Sequence, residues 1–372
     1  MKAITGKTKK TLFILAGIFL GLGLAVCLAA PSFPGTIERG YSTRIYRGLV
    51  GPLSQLTGIF PFSLAEVLLA ATFLFALYRG GRWLLSFCKK PRVTLRSLPR
   101  GLARLALILA LLYVSFYLLW GLNYNRLSFA DISGLPLEPA GPEELRELAQ
   151  SLVLRANVLR EEVEEDGAGV MTLDTDIRGA FARAELGYRQ AALIYPALGG
   201  RYGPPKSVFL SPYWSYTGIS GMYFPFTGEA NINTDMPPLL LPATALHEMA
   251  HQRGFAREDE ANFLAYLACS LHPHRDFQYS GTVLALVNTM NALYRADLNA
   301  YKEVRAQYSD GLNRDLKNWS EYWQRFAGPV EKASERVNDA YLKANRQEDG
   351  VRSYGRMIDL LLALFRQGSI KN

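Results

Sequence analysis

The sequence predicts a mostly helical α+β protein: three membrane-spanning helices, then a domain with a small sheet followed by a helical lobe. Three observations predict it. Uncharged or nearly uncharged apolar runs of about 20 residues, enough to cross a bilayer core, recur three times in the first third of the chain. Past them the chain changes to short aromatic segments bounded by Pro and Gly, which suit strands. From Pro238 onward the apolar spacing is helical.

The first apolar run covers about Thr11 to Ala30, the second about Ile59 to Tyr78, the third about Leu105 to Leu122. Residues 1–122 carry 15 Lys/Arg and 2 Asp/Glu, whereas the rest of the chain is net acidic. The basic residues flank the apolar runs, so the overall charge of +8 is a membrane signature and gives no reason to expect a nucleic-acid partner. Lys2, Lys7, Lys9 and Lys10 precede the first run, and Arg79, Arg82, Lys89, Lys90, Arg92, Arg96 and Arg100 separate the second from the third. Such loops stay cytoplasmic, which predicts a multi-pass cell-membrane protein with a cytoplasmic N-terminus and residues 123–372 outside. The first run is longer than a signal-peptide core and reads as an uncleaved anchor. Glu66 lies close after Pro61 and reads as a carboxylate near the interface. Three cysteines, two of them in or beside the membrane part, exclude a disulfide framework and a Cys-rich zinc site.

These features divide the chain into a membrane domain at 1–122, a linker at 123–141 and an extracytoplasmic domain at 142–372. The linker Asn123–Gly141 has two prolines and a mixed polar pattern. Pro142, with Glu143 and Glu144 behind it, opens a helix reaching about Val163. A second amphipathic helix covers about Ile177 to Leu198. Ser207–Ser211, Gly221–Phe226 and Glu229–Asn233 read as strands.

The chemistry concentrates in TALHEMAHQRGFAREDEANF, residues 244–263. Pro242 near its start and Gly254 at its end bound a helix that carries His247 and His251 one turn apart, on one face. Two neutral imidazoles at that spacing can each bind a zinc ion at about 2.0–2.1 Å. Glu248, turned by about 100° on the helix, can reach a metal-bound water without ligating. The apolar neighbours Leu246, Met249 and Ala250 predict burial, which is costly for two histidines and a glutamate without partners. A third ligand must come from nearby, and Glu258, Asp259 and Glu260 open the next helix, where the helix dipole alone favours acids. His272 and His274 read as surface residues at a helix end, not as ligands.

HExxH, then a glycine, then a Glu-Ala pair opening the next helix resembles the gluzincin class of zinc metallopeptidases. The resemblance implies a zincin-like fold, one Zn2+, and the glutamate of the Glu-Ala pair, Glu260, as third ligand. Glu258 is then a rival, or a group that orients a ligand histidine. The segments IYRGLVGPLSQLTGIFPFSLAE, WGLNYNR, GMYFPFTGEANIN, HEMAHQRGFAREDEANF and GVRSYG extend the resemblance to a bacterial membrane-protein family, a domain of unknown function grouped with the zinc peptidases. What it implies is membrane-anchored hydrolysis of a peptide or protein substrate, with Glu248 as general base. It also implies an edge strand that pairs with the substrate, here Gly228, Glu229, Ala230, Asn231, Ile232 and Asn233. Tyr354 is the first candidate to stabilise an oxyanion, with Arg352 and Tyr279 behind it. The alternative is a membrane-anchored binding or sensory module with an inactive zinc site; such a site would not need Glu248. Three helices with one peripheral carboxylate offer no evident transport pathway.

Overall fold

The computed structural model describes residues 2–345, 347 and 357–368. The chain divides into two compact units, one of Met1–Tyr46 with Leu64–Arg126, the other of Arg47–Ser63 with Leu127–Asn372.

The first unit is helical. α1 (Lys2–Ala29) leads through a short turn, α2 (Pro34–Thr36), into a π-helix at Ile37–Tyr46. α3 (Arg47–Gly58) follows in sequence but belongs to the second unit. α4 (Leu64–Lys89) and α5 (Pro91–Leu119) complete the first, and both α1 and α4 pack along α5. The stretches Lys10–Ser32, Leu64–Lys89 and Ser97–Leu119 are long and apolar enough to cross a membrane, by length and composition. The second begins at Leu64 and not at the expected Ile59, because Pro61 has no amide hydrogen to donate and Ile59–Ser63 bends instead. Where α5 ends, Arg126 makes a bidentate buried pair with Glu38, with Nε and Nη2 each 2.8 Å from a carboxylate oxygen. Ser42 Oγ donates to Asn123 Oδ1 and Tyr41 Oη to the Leu118 carbonyl. The WGLNYNR stretch is therefore an anchored helix end; its residues Asn123 and Arg126 are buried.

In the second unit α3 is followed by α6 (Phe129–Ser133), α7 (Pro142–Arg160), α8 (Ile177–Arg183) and α9 (Glu185–Ile194). The helix expected from Ile177 to Leu198 is broken at Ala184, and Pro196 opens a separate 3-10 turn. The sheet comprises β1 (Lys206–Ser207), β2 (Gly221–Phe224) and β3 (Glu229–Ile232), with α10 (Ser211–Ser215) between the first two. α11 (Leu241–Gln252), α12 (Glu258–Ser270), α13 (Arg275–Ala296), α14 (Leu298–Arg305), α15 (Asp310–Gln324), α16 (Pro329–Ala344) and α17 (Met357–Arg366) form the helical lobe.

Strand order is β1-β3-β2, with β1 parallel and β2 antiparallel to β3. This corrects the expectation that Gly228–Asn233 forms an edge. β3 pairs on both sides, because the two-residue β1 aligns Lys206 with Asn231 and Ser207 with Ile232. The edge beside the HExxH helix is β2.

α11 packs against β2, β3, α12 and α13. Leu246, Met249 and Ala250 join the main core with Phe263, Leu264 and Leu286, while Leu241 and Ala245 meet Ile232 and Tyr322. At the start of α11 the Ala243 amide, without an intrahelical partner there, donates to Ser280 Oγ at 3.1 Å. At its end Gly254 takes a left-handed φ of 84°, which releases the chain toward α12.

α3 is fastened to this unit by polar contacts. Thr57 Oγ1 donates to the Thr227 carbonyl, and Lys206 Nζ donates to the carbonyls of Thr57 and Phe62 while pairing with Glu229 at 2.8 Å. Gly203 lies so close to the Ser54 backbone that a side chain there would collide with it.

Candidate metal centre

α11 and α12 bring three side chains to one point. Glu258 Oε2 lies 3.1 Å from His247 Nε2 and 3.6 Å from His251 Nε2. One ligand atom from each residue lies within 4.8 Å of the other two. Ligands held tetrahedrally at about 2.0–2.2 Å from a zinc ion stand about 3.3 Å apart, so these spacings fit one small cation. The imidazoles are nearly perpendicular, with centroids 4.7 Å apart, as expected for side chains converging from successive turns.

The outer nitrogens decide the tautomers. His247 Nδ1 lies 2.9 Å from Asn262 Oδ1, and His251 Nδ1 lies 2.7 Å from the Phe255 carbonyl. Both partners are acceptors, so both Nδ1 atoms donate, and each ring in its neutral form would present its Nε2 lone pair to the centre. Asn262 escaped the sequence reading, though a signal existed. It lies four residues after Glu258 on α12, hence on the same face.

The structure brings Glu258, and not Glu260, to the histidines. α12 begins at Glu258, and Glu260 is turned by about 200° from it, so one helix cannot aim both at the same point. Glu260 instead accepts from the Phe129 amide at 2.8 Å and from Arg257 Nη1 at 3.0 Å. Asp259 Oδ1 accepts from the Glu260 amide. The orienting role foreseen for Glu258 falls to Asn262 and the Phe255 carbonyl.

Electrostatics favour a cation here. Burial pushes the His251 imidazole down, but Glu258, Glu248 and the Phe255 carbonyl outweigh it and lift its pKa to about 9. Burial would raise Glu258, yet the two histidines hold it well below the usual carboxylate range. The carboxylates of Glu258 and Glu248 thus place a negative field on the rings, the sign that favours a cation between them.

Glu248 is buried beside this group. Burial raises its carboxyl above the ordinary range, against the pull of His247 and His251 and a backbone hydrogen bond from Tyr223. Its Oε2 has no hydrogen-bond partner among the described residues. A Cβ on Gly221 would stand 2.6 Å from Glu248 Oε1, so the carboxylate occupies space that only a glycine on β2 leaves open. A buried carboxylate with a vacant oxygen is costly unless something else occupies that position in the working protein.

Residues following His251 pin α11. Gln252 Nε2 donates to Ser54 Oγ and to the carbonyls of Gly203 and Gly228. Arg253 is fully buried between Tyr188 and Tyr202 and donates to the Leu198 and Met249 carbonyls. Tyr188 Oη donates to the Leu246 carbonyl.

Among the described residues, the remaining candidates are engaged by other partners. Tyr279 Oη donates to Asp315 in a buried network with Arg160, which engages it structurally. Tyr354 and Arg352 lie outside the described residues. Glu229 is paired with Lys206, Asn231 Nδ2 donates to the Met222 and Glu229 carbonyls, and Asn233 Nδ2 donates to Ser215 Oγ. Gly228, with φ 67°, begins the turn into β3, and Ala230 and Ile232 are buried in the core. His272, expected at the surface, is buried: Nε2 donates to the Arg183 carbonyl and Nδ1 accepts from the His274 amide.

A model of the family described as "Protein of unknown function (DUF3810)" matches residues 41–362. No curated protein and no solved structure matches the chain.

Proposed function

The chain belongs to the DUF3810 family of proteins of unknown function, and for this member we propose a membrane-anchored, zinc-dependent metallopeptidase. The observation that carries the reading is the convergence of His247, His251 and Glu258 beside the buried, half-partnered carboxylate of Glu248. Two imidazoles and one carboxylate are a donor set of catalytic zinc sites, and three protein ligands leave a position for water. A bound zinc ion would supply Lewis acidity, lowering the pKa of a water and polarising a peptide carbonyl.

The chain's own residues do the rest. His247 and His251, fixed by Asn262 and Phe255, hold the cation with Glu258. Glu248 Oε2 takes the proton of the attacking water and returns it to the leaving amine. Burial moves the Glu248 carboxyl above its ordinary range, the direction that strengthens it as a proton acceptor. β2, whose Gly221 and Tyr223 border Glu248, replaces β3 as the strand along which an extended peptide would lie.

Sidedness follows from charge: the Lys/Arg-rich segments face the cytoplasm and the second unit lies outside. The second unit itself supports this arrangement. It joins Arg47–Ser63 to Leu127–Asn372, and two segments of one packed unit must lie on the same side of a bilayer. Between them the chain has two apolar helices, α4 and α5, an even number of crossings.

The test is Glu248→Gln in the full chain. It should bind about one zinc per chain, as wild type does, and hydrolyse no peptide. Zinc retained together with wild-type cleavage would remove Glu248 as base, and a wild-type chain that binds no zinc would remove the proposal.

A further inference from the structure

Two stretches of the second unit are without charge. From Gly48 to Ser63 and from Ser207 to Gly228 there is no Asp, Glu, Lys, Arg or His. Soluble domains bury such runs; here Val50, Val208 and Tyr223 are buried, but several large apolar side chains are exposed. Phe209 is 89% exposed, Tyr213 70% and Tyr216, whose ring meets Phe326 in an edge contact, 52%; Ile59, Phe60 and Phe62 are exposed in the other stretch. Apolar patches of this kind mark surfaces that meet something.

The two stretches are fastened together. Lys206 Nζ donates to the Phe62 carbonyl at 3.0 Å and to the Thr57 carbonyl at 2.5 Å, and Phe209 follows only three residues after Lys206. At the far end of the second stretch, Thr57 Oγ1 donates to Thr227 and the Gly228 carbonyl accepts from Gln252, which also holds Ser54. The occupant is indicated by where the first stretch ends. Phe62 lies two residues before Leu64, where the apolar helix α4 begins, so its carbonyl is near the level at which the chain passes into lipid. Lys206 holds the start of the second stretch to that level. Aromatic residues, above all Tyr and Trp, are the side chains that settle at the bilayer interface, and Phe209-Leu-Ser-Pro-Tyr-Trp-Ser-Tyr216 carries four aromatics in eight residues.

We infer that the second unit rests on the lipid surface through the rim formed by Ile59, Phe60, Phe62, Phe209, Tyr213 and Tyr216, a membrane contact additional to the three apolar helices. The inference rests on α4 crossing the bilayer and is independent of the metal and of hydrolysis. A rim of this kind is a shallow contact: the aromatic bodies lie among the headgroups, and the uncharged backbone turns around α10 follow them.

The experiment uses the full chain with Cys27, Cys88 and Cys269 replaced by Ala, reconstituted in vesicles of phosphatidylethanolamine and phosphatidylglycerol. An environment-sensitive fluorophore is attached in turn at Phe209→Cys, Tyr213→Cys, Val337→Cys and Leu74→Cys. Val337 is 71% exposed on the charged helix α16 and serves as the reference. Lipids bearing a nitroxide near the headgroup should quench labels at 209 and 213 severalfold more than the label at 337. Equal quenching at all three sites overturns the inference. So does shielding at 209 that lipid nitroxides do not reach and that grows with protein-to-lipid ratio, because the occupant is then a second copy of the chain. The label at 74 separates premise from inference: a nitroxide deep in the acyl region should quench it, and failure there removes the membrane crossing of α4 itself.

Discussion

Ser54 Oγ accepts two hydrogen bonds, from the Gly203 amide at 2.6 Å and from Gln252 Nε2 at 2.9 Å. Gln252 follows His251 directly, so a residue between the first two apolar helices contacts the end of the metal-site helix. Ser54→Ala leaves the buried Gly203 amide without its acceptor, while Gln252 keeps two carbonyls. The expected cost is about 1–3 kcal/mol in unfolding free energy, read as a lower thermal midpoint of the detergent-solubilised chain.

Glu258 and Glu260 separate on substitution. Glu258→Ala removes a ligand and should reduce metal content to background. Glu260→Ala keeps all three ligand side chains and loses the Phe129 and Arg257 contacts, so it should bind metal and unfold more easily, again by about 1–3 kcal/mol. Elemental analysis of both purified variants checks the pair, and the reverse pattern would restore Glu260 as ligand.

Asn262→Ala should weaken metal binding by roughly 10–100-fold without abolishing it, because it removes only the acceptor that sets the His247 tautomer. A competition titration with a chelator of known affinity measures the change. Asn262→Asp, which keeps an acceptor oxygen, should recover most of it.

Gly221→Ala introduces a Cβ 2.6 Å from Glu248 Oε1 and must displace that carboxylate. The three ligands are untouched, so metal content should stay near wild type while the rate of peptide hydrolysis falls about 10²-fold, the order expected for a misplaced reacting group.

Stability should depend on pH through His272. Burial is the chief cause that lowers its pKa from 6.5 to about 4, against its bonds to Arg183 and His274. The folded chain therefore keeps the ring neutral where the unfolded chain protonates it, so this contribution is intact above pH 6.5 and disappears as the pH falls toward 4. The full loss amounts to about 3 kcal/mol. Melting curves across that range should show the decline, and His272→Gln, which can still donate and accept, should flatten it.

Much of the site was legible because a helix converts spacing into direction. Pro242 and Gly254 bound α11, and four residues place His247 and His251 on one face whatever else the fold does. The third ligand was not legible. Glu258 and Glu260 differ only in helical phase, and phase depends on where the chain stops turning after Gly254, which is a matter of tertiary packing. The order of the strands was hidden for a similar reason. β1 is two residues long, too short for any alternation to show, yet it converts β3 from an edge into the centre. The membership of Arg47–Ser63 in the second unit was hidden by composition, since from Gly48 onward it is uncharged and merges into the apolar run that follows.

Because the second unit is assembled from two stretches of chain separated by α4 and α5, its completion would register how those helices are threaded, were both to cross a bilayer. A polypeptide in which one of them failed to insert would strand Ser54 and Gln252 in different aqueous compartments. The HExxH unit would then lack α3, and the Gly203 amide and Gln252 would lose the Ser54 oxygen. Passage of α4 and α5 across a bilayer and completion of the HExxH unit would thus be a single event.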